Sequence, residues 1–123
     1  QSGNHSNAFR FTNTSNTYTG TVEMWRGTFA IVADGSLGVS SNGIRHYTEN
    51  VNGSLRFDAD NIELAATRGI FFPGSANARP INTQGFTATI LGPISGNGNL
   101  IKQGSGTLIL GGTNTYVGTT TVE

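Results

Sequence analysis

The acidic side chains Asp58, Asp60 and Glu63 lie close together in the sequence, with the amide of Asn61 between them. Hard oxygen ligands at this density could bind Ca²⁺, which takes six to eight oxygens. The spacing lacks the glycine and the terminal bidentate carboxylate of an EF-hand loop. Two interpretations stay open, a calcium site and a solvated turn, and the turn is favoured. We expect no metal or other cofactor.

His5 and His46 are the two histidines, and the chain has no cysteine. The lack of thiols excludes a disulfide scaffold, a thiolate zinc site and a cysteine nucleophile. A histidine-activated nucleophile needs a neighbouring hydroxyl and an orienting carboxylate, and neither sequence neighbourhood suggests one. His5 lies in a polar terminal stretch and His46 alternates with Arg45 and Tyr47, so we predict that both lie on the surface.

Four aromatic residues are candidates for a platform that stacks on sugar rings: Trp25, Tyr47, Phe71 and Phe72. Aromatic faces suit this role because they combine a large apolar area with a polar edge. Trp25 is the strongest single candidate, since it falls on the strand face opposite Val22 and Met24 and should point outward. An outward tryptophan indicates a contact with a glycan or with another subunit, unless its exposure is incidental.

The elements that must position these residues are short strands, because apolar residues alternate with polar ones at period two. The clearest apolar pairs are Phe9 and Phe11, Val22 and Met24, Leu55 and Phe57, and Leu108 and Leu110. Turns are indicated by Asp34-Gly35, Asn42-Gly43, Asn52-Gly53 and Gly96-Asn97-Gly98. Apolar residues do not recur at helical spacing over any long window, so we predict an all-β chain.

The charge balance gives no electrostatic reason for binding nucleic acid or an anionic membrane. The 123 residues include seven basic and seven acidic side chains, which are scattered along the chain. Membrane insertion is not expected either, because no apolar run approaches the roughly 18 residues needed to span a bilayer. The Gly-rich segment 92–106 lacks the Gly-Lys-Ser/Thr ending of a phosphate loop, so we interpret it as a set of corners.

An internal repeat relates the two ends of the chain. Asn16–Thr21 (NTYTGT) returns as Asn114–Thr119 (NTYVGT), 98 residues further along. The register continues without a gap, with Val22 on Thr120 and Met24 on Val122. Upstream, Phe9 and Phe11 correspond to Leu108 and Leu110 if one loop residue is added. This separation predicts a repeat of several coils of about 20–25 residues each, with inward positions falling on inward positions.

Residues 96–122 carry, in order, a Gly-rich turn, a Gly104-x-Gly-Thr-Leu strand, an Asn114-Thr-Tyr-x-Gly corner and a Thr120-Thr-Val strand. This order resembles the autotransporter-associated β-strand repeat of bacterial surface proteins. The clear copy covers 84–123, a degraded copy covers 16–38 with Trp25 and Arg26 in place of small polar residues, and 39–83 fit loosely. The resemblance implies a right-handed parallel β-helix of about five coils in a secreted or surface-displayed passenger, without a common catalytic residue.

Some parallel β-helices cleave acidic polysaccharides with Asp-bound Ca²⁺ and an arginine base. Arg56 and Arg68 are the residues that such a reaction would use here, and a polysaccharide lyase is the least favoured function. The favoured function is a non-catalytic extracellular structural or adhesive module. A carbohydrate-binding module that uses Trp25 is the alternative.

A solenoid needs polar caps, because an uncovered end exposes apolar side chains and unpaired strand backbone. The sequence shows no evident cap around the domain, which we place at 8–123 after a polar arm at 1–7. We therefore expect strand pairing through two sets of residues: Ala8, Phe9, Arg10, Phe11 and Thr12, and Thr119, Thr120, Thr121 and Val122. The expected partners are copies of the chain, stacked end to end into a filament, or the adjoining coils of a passenger.

Overall fold

The computed structural model describes residues 8–48, 53–74 and 78–123. Over these residues the chain forms thirteen strands of three to five residues and a single-turn 3₁₀ helix, Asp34–Leu37. The described part contains no α-helix and therefore no helix long and apolar enough to cross a membrane. The all-β prediction is confirmed. His5 and the proposed arm at 1–7 lie outside the described residues.

Three sheets run along the molecule, and every strand pair in them is parallel. The six-stranded sheet contains β1 (Ala8–Phe11), β3 (Thr28–Ile31), β5 (Leu55–Phe57), β8 (Ala78–Asn82), β11 (Asn99–Gln103) and β13 (Thr120–Val122). The four-stranded sheet contains β2 (Val22–Met24), β4 (Ile44–His46), β7 (Ile70–Phe72) and β10 (Ile94–Gly96). The three-stranded sheet contains β6 (Ile62–Leu64), β9 (Thr87–Ile90) and β12 (Thr107–Leu110).

In the coils that begin at β5 and β8 the chain visits the six-stranded, then the three-stranded, then the four-stranded sheet, whereas the described residues of the coils that begin at β1 and β3 include no strand of the three-stranded sheet. Successive strands of the six-stranded sheet begin 20 to 27 residues apart, so each circuit is one coil of a solenoid. The fold is a parallel β-solenoid of about five turns, as the sequence predicted. The described residues between 39 and 83, which fit the repeat loosely in sequence, take part in the same parallel coils.

The core consists of columns of side chains stacked from coil to coil. In the six-stranded sheet one inward column runs Phe9, Phe29, Leu55, Ile81, Lys102, Val122. In the four-stranded sheet a second column runs Val22, Ile44, Ile70, Ile94. Full burial of one such aliphatic side chain contributes about 1.5–3 kcal/mol, and every coil relies on its neighbours for that burial.

Glycine permits the close approach of successive coils at the corners. A Cβ on Gly106 would lie 1.9 Å from the carbonyl oxygen of Phe86, and the Gly106 N–H donates to the Gln84 carbonyl at 2.6 Å. Gly53 combines φ +135° with only 2.0 Å between a built Cβ and the Gly27 carbonyl. Segment 92–106, interpreted from the sequence as a set of corners, thus has close glycine approaches at its turns but also contains the strands β10 and β11.

The two copies of the internal repeat, which are 98 residues apart, do not lie in the same sheets of the solenoid. β1 lies in the six-stranded sheet and its counterpart β12 in the three-stranded sheet, while β2 lies in the four-stranded sheet and its counterpart β13 in the six-stranded one. Inward positions nevertheless coincide, as predicted, since Thr120 and Val122 pair in register with the buried Leu100 and Lys102; Val122 is exposed because it lies on the edge strand β13. Ninety-eight residues advance the chain by four coils and one further face.

Candidate functional site

Asp58 lies on the outer side of the six-stranded sheet, where cations from two coils meet its carboxylate. Arg56 donates to both carboxylate oxygens at 2.6 and 2.9 Å, and Gln84 donates to Oδ1 at 2.7 Å. Arg10 reaches Oδ2 at 3.1 Å. The hydrogen bond with Asp58 raises the pKa of the Arg56 guanidinium above its ordinary value. Arg56 is thus a strongly held cation, which is the opposite of what a catalytic base requires.

The carboxylates proposed as calcium ligands are not brought together. Asp60 accepts backbone N–H bonds from Asn61 at 3.0 Å and Thr87 at 2.9 Å, as in a turn, and Glu63 is exposed on β6. Among residues 8–48, 53–74 and 78–123, no three His, Cys, Asp or Glu side chains are close enough to hold a metal ion. The geometry therefore supports the solvated turn rather than calcium.

Arg68 is completely buried, so the suggestion of an arginine base is wrong for this residue. Its Nε donates to Asp34 Oδ1 at 2.8 Å, and its two terminal nitrogens also donate to the carbonyl oxygens of Leu37, Asn42 and Gly38. The guanidinium thereby satisfies the carbonyls of the 3₁₀ turn and the loop after it, one coil away. The Arg68 guanidinium thus has a structural role, and a substrate could not reach it.

His46 is also completely buried, and the prediction of a surface histidine is wrong. Its Nε2 donates to the Pro80 carbonyl at 2.8 Å, since a carbonyl can only accept, and its Nδ1 accepts from the Thr48 hydroxyl at 3.0 Å. Phe72 lies edge-on to the imidazole, with ring centroids 5.8 Å apart. The pKa of His46 is lowered to about 4, mainly by burial; the hydrogen bond to Pro80 opposes this effect, and the nearby charge of Arg79 adds to it. The ring is therefore a neutral part of the core.

Trp25 projects from the outer surface next to the four-stranded sheet, as predicted, with 59% of its surface exposed. Its ring stacks on Tyr47 of the next coil, with centroids 3.7 Å apart and planes inclined by 6°, and its Nε1 donates to Glu23 at 3.1 Å. One face of the indole is thus covered. The predicted four-residue platform is not assembled, because Phe72 points into the core and is fully buried.

Arg45 occupies the middle of the outer surface of this sheet. The outward column there runs Glu23, Arg45, Phe71, Ser95. The Arg45 guanidinium carbon lies 5.0 Å from the Phe71 ring centroid and 5.8 Å from that of Tyr47, and its Nε donates to the Tyr47 hydroxyl at 3.2 Å. An open groove of about 280 Å³ runs beside this column. Its lining includes Thr21, Gly43, Arg45, Gly69, Phe71 and Ser95.

The proposed assembly strands lie at the two edges of one sheet. Among residues 8–48, 53–74 and 78–123, β1 pairs only with β3, and β13 pairs only with β11. Phe9 and Val122 are the end members of the same inward column, and 56% and 73% of their surfaces are exposed. The edges therefore present both backbone groups and apolar side chains to solvent.

Sequence reasoning missed Arg45, although a signal for it existed. Ile44, Arg45 and His46 alternate, so the inward position of Ile44 places His46 inside and Arg45 outside. The surface prediction for His46 considered only its polar neighbours and therefore did not assign Arg45 to the outer face. The buried role of Arg68 had no comparable signal, because the partners of its guanidinium lie 26 to 34 residues away.

Comparison with known proteins finds the same repeat in this chain. The passenger-associated-transport-repeat model matches residues 6–31 and 100–123. The Adhesin BmaC autotransporter of Brucella suis biovar 1 (strain 1330) is 38% identical over 124 residues, which is 92% of this chain and 3% of that protein. The chain thus spans a small fraction of the length of this relative. No solved structure gives a significant match. The autotransporter-repeat resemblance is confirmed.

Proposed function

From the passenger-associated transport repeats that this solenoid carries, we propose that the chain is a non-enzymatic structural and adhesive segment of a secreted passenger. Such a passenger is displayed at the bacterial cell surface. The similarity to an autotransporter adhesin supports this assignment. The two arginines do not favour the lyase alternative, since Arg68 is buried and Arg56 is held by Asp58.

We propose further that the six-stranded sheet pairs with parallel strands at both of its edges. The observation that carries this proposal is the exposure of Phe9 and Val122, the two end members of one inward column. A strand added at either edge would cover an apolar side chain and satisfy free backbone groups. In a passenger the added strands are those of adjoining coils, and for the isolated chain they are copies of itself. A contact between unlike ends does not close, so repeated pairing produces a filament.

The hydrogen bonds of β13 identify the groups that would pair. Leu100 N donates to the Thr119 carbonyl at 2.9 Å, and Glu123 N donates to the Lys102 carbonyl at 2.8 Å. Because peptide groups along a strand alternate in direction, the N–H and C=O groups of Thr120 and Val122 face the open side. Proline at residue 120 would therefore remove a donor from the open edge without removing a bond to β11.

The test is a concentration series of the purified chain, followed by sedimentation velocity and negative-stain electron microscopy. We expect association that grows with concentration, particles that lengthen along one axis, and loss of this association in Thr120→Pro. Thr120→Val is the matched control, because it keeps the N–H and should associate like the wild-type chain. Monomers at every concentration, or equal association of the proline and valine variants, would refute edge pairing.

A further inference from the structure

We infer that the outer face of the four-stranded sheet binds a carboxylated sugar through Arg45 and Phe71. This inference rests on the proposed adhesive role, since it names the class of ligand that the adhesive surface takes. It differs from the earlier candidate at Trp25, whose indole already has one face against Tyr47. The groove of about 280 Å³ beside Arg45 lies near the lower limit of ligand-site volumes.

Arg45 provides a cation that has no anionic partner among the described residues. No carboxylate of the described residues lies within 4.0 Å of its guanidinium, whereas Arg10, Arg56 and Arg68 each have one. Glu23 is the register neighbour of Arg45 on β2, yet its carboxylate accepts from the Trp25 indole instead. The aromatic contacts hold the guanidinium in place, and only its Nε is used by the Tyr47 hydroxyl. No hydrogen bond joins its terminal nitrogens to another of the described residues, so they can take a carboxylate, whose planar geometry the guanidinium fork matches.

Phe71 provides an apolar ring surface beside this cation. Arg45 covers one face of the ring at 5.0 Å, and the next residue in the outward column on the other side is Ser95, which has a small side chain. The opposite ring face is therefore left open, and 37% of the Phe71 surface is exposed. The C–H groups of a pyranose ring pack on such a face, as apolar groups do on aromatic rings generally.

The rest of the groove suits a hydroxyl-bearing ligand. Gly43 and Gly69 have no side chains to obstruct approach, and Thr21 and Ser95 place hydroxyl groups at its border. Nucleic acid fits poorly, because its affinity depends on several phosphate contacts and Arg45 is the one cationic residue among those that line the groove. A ligand that combines a carboxylate, an apolar ring face and hydroxyls fits all three features, and a uronic acid has this combination.

The experiment is titration calorimetry with trigalacturonate, with maltotriose as the neutral comparison, in buffer containing EDTA to exclude calcium-mediated binding. Using the Thr120→Pro variant as the background separates this binding from edge pairing, so that failure of one proposal leaves the other measurable. We expect trigalacturonate to bind with a Kd of about 1 mM or tighter, and maltotriose at least about tenfold more weakly.

Two variants locate the site. Arg45→Gln should reduce trigalacturonate affinity at least about tenfold, and Phe71→Ser should reduce it by a similar factor. Arg10→Gln removes an exposed arginine from the six-stranded sheet and should leave the affinity unchanged. Phe71→Ser tests the site independently if Arg45→Gln does not fold. Triglutamate, which has carboxylates but no sugar ring, is the acidic comparison and should bind more weakly than trigalacturonate. Equal binding of maltotriose or triglutamate, unchanged affinity in both groove variants, or no binding of trigalacturonate would each overturn the inference.

Discussion

Acidification should destabilise this solenoid through His46, because the folded chain holds the imidazole neutral in its core. The pKa of His46 is lowered to about 4 from 6.5, mainly by burial. Below pH 6.5 the unfolded chain therefore takes up a proton that the folded chain excludes. Stability contributed by the neutral ring is fully present above pH 6.5 and is lost progressively as the pH falls toward 4.

The expected magnitude follows from the same pKa values. The interval from 6.5 to about 4, at about 1.4 kcal/mol per pH unit, corresponds to about 3 kcal/mol in total. At pH 5 roughly 2 kcal/mol of this should already be lost. A loss of that size is a large part of the stability of a small domain, so the melting temperature should fall visibly between pH 7 and 5.

The assay is denaturant unfolding at several pH values, for the wild-type chain and for His46→Gln. A glutamine amide can donate to the Pro80 carbonyl and accept from the Thr48 hydroxyl without titrating, so the variant keeps both types of hydrogen bond. Subtracting the free energies of unfolding of the two proteins at each pH removes the contributions of the other titrating groups, which both proteins share. The reasoning is refuted if both proteins lose stability equally from pH 7 to 5, or if NMR titration of the folded chain gives His46 a pKa near 6.5.

Two further predictions concern packing between coils. Gly106→Ala should lower the free energy of unfolding by about 1–3 kcal/mol, because its Cβ would lie 1.9 Å from a carbonyl oxygen. The control is Gly85→Ala, whose Cβ would lie 3.9 Å from the nearest atom and which should melt like the wild type. Equal melting temperatures of the two variants would contradict this prediction. Arg68→Met should cost about 3–5 kcal/mol, since it leaves a partly buried carboxylate and several carbonyls without their donor. The exposed control Arg10→Gln should cost at most about 1 kcal/mol by the same thermal melts, and comparable losses would show that burial of the guanidinium is unimportant.

The strands could be predicted from the sequence because each alternation of apolar and polar residues is local information. Leu55 and Phe57 are both buried, and Arg56 between them lies outside, as the pattern indicated. The stacking of coils could be predicted only through the internal repeat and the resemblance to a repeat family, since parallel neighbours are 20 to 27 residues apart. The register between coils sets the outward column at Arg45, and no local pattern specifies that register.

The functional surface was harder to predict than the fold for a related physical reason. Phe71 and Phe72 are adjacent and chemically alike, yet one is outward and the other has no exposed surface. Trp25 was correctly placed outside, but its stacking on Tyr47 depends on the following coil. A surface on a solenoid is assembled from one residue per coil, so its chemistry becomes visible only when the coils are aligned.

The Asn-Thr-Tyr corner explains why the repeat can move from one face of the solenoid to another. In the first copy the corner lies between β1 and β2, and in the second it lies between β12 and β13. Each time the corner takes the place of one strand of the coil, and it is held to a neighbouring coil by backbone bonds such as Asn16 N to the Gly35 carbonyl and Val117 N to the Gly96 carbonyl. The motif therefore specifies passage across a face without a strand, and it is not tied to any particular sheet. Where the second corner replaces a strand, the four-stranded sheet ends at β10. The position of this motif thus limits how far the outer column that contains Arg45 and Phe71 can extend.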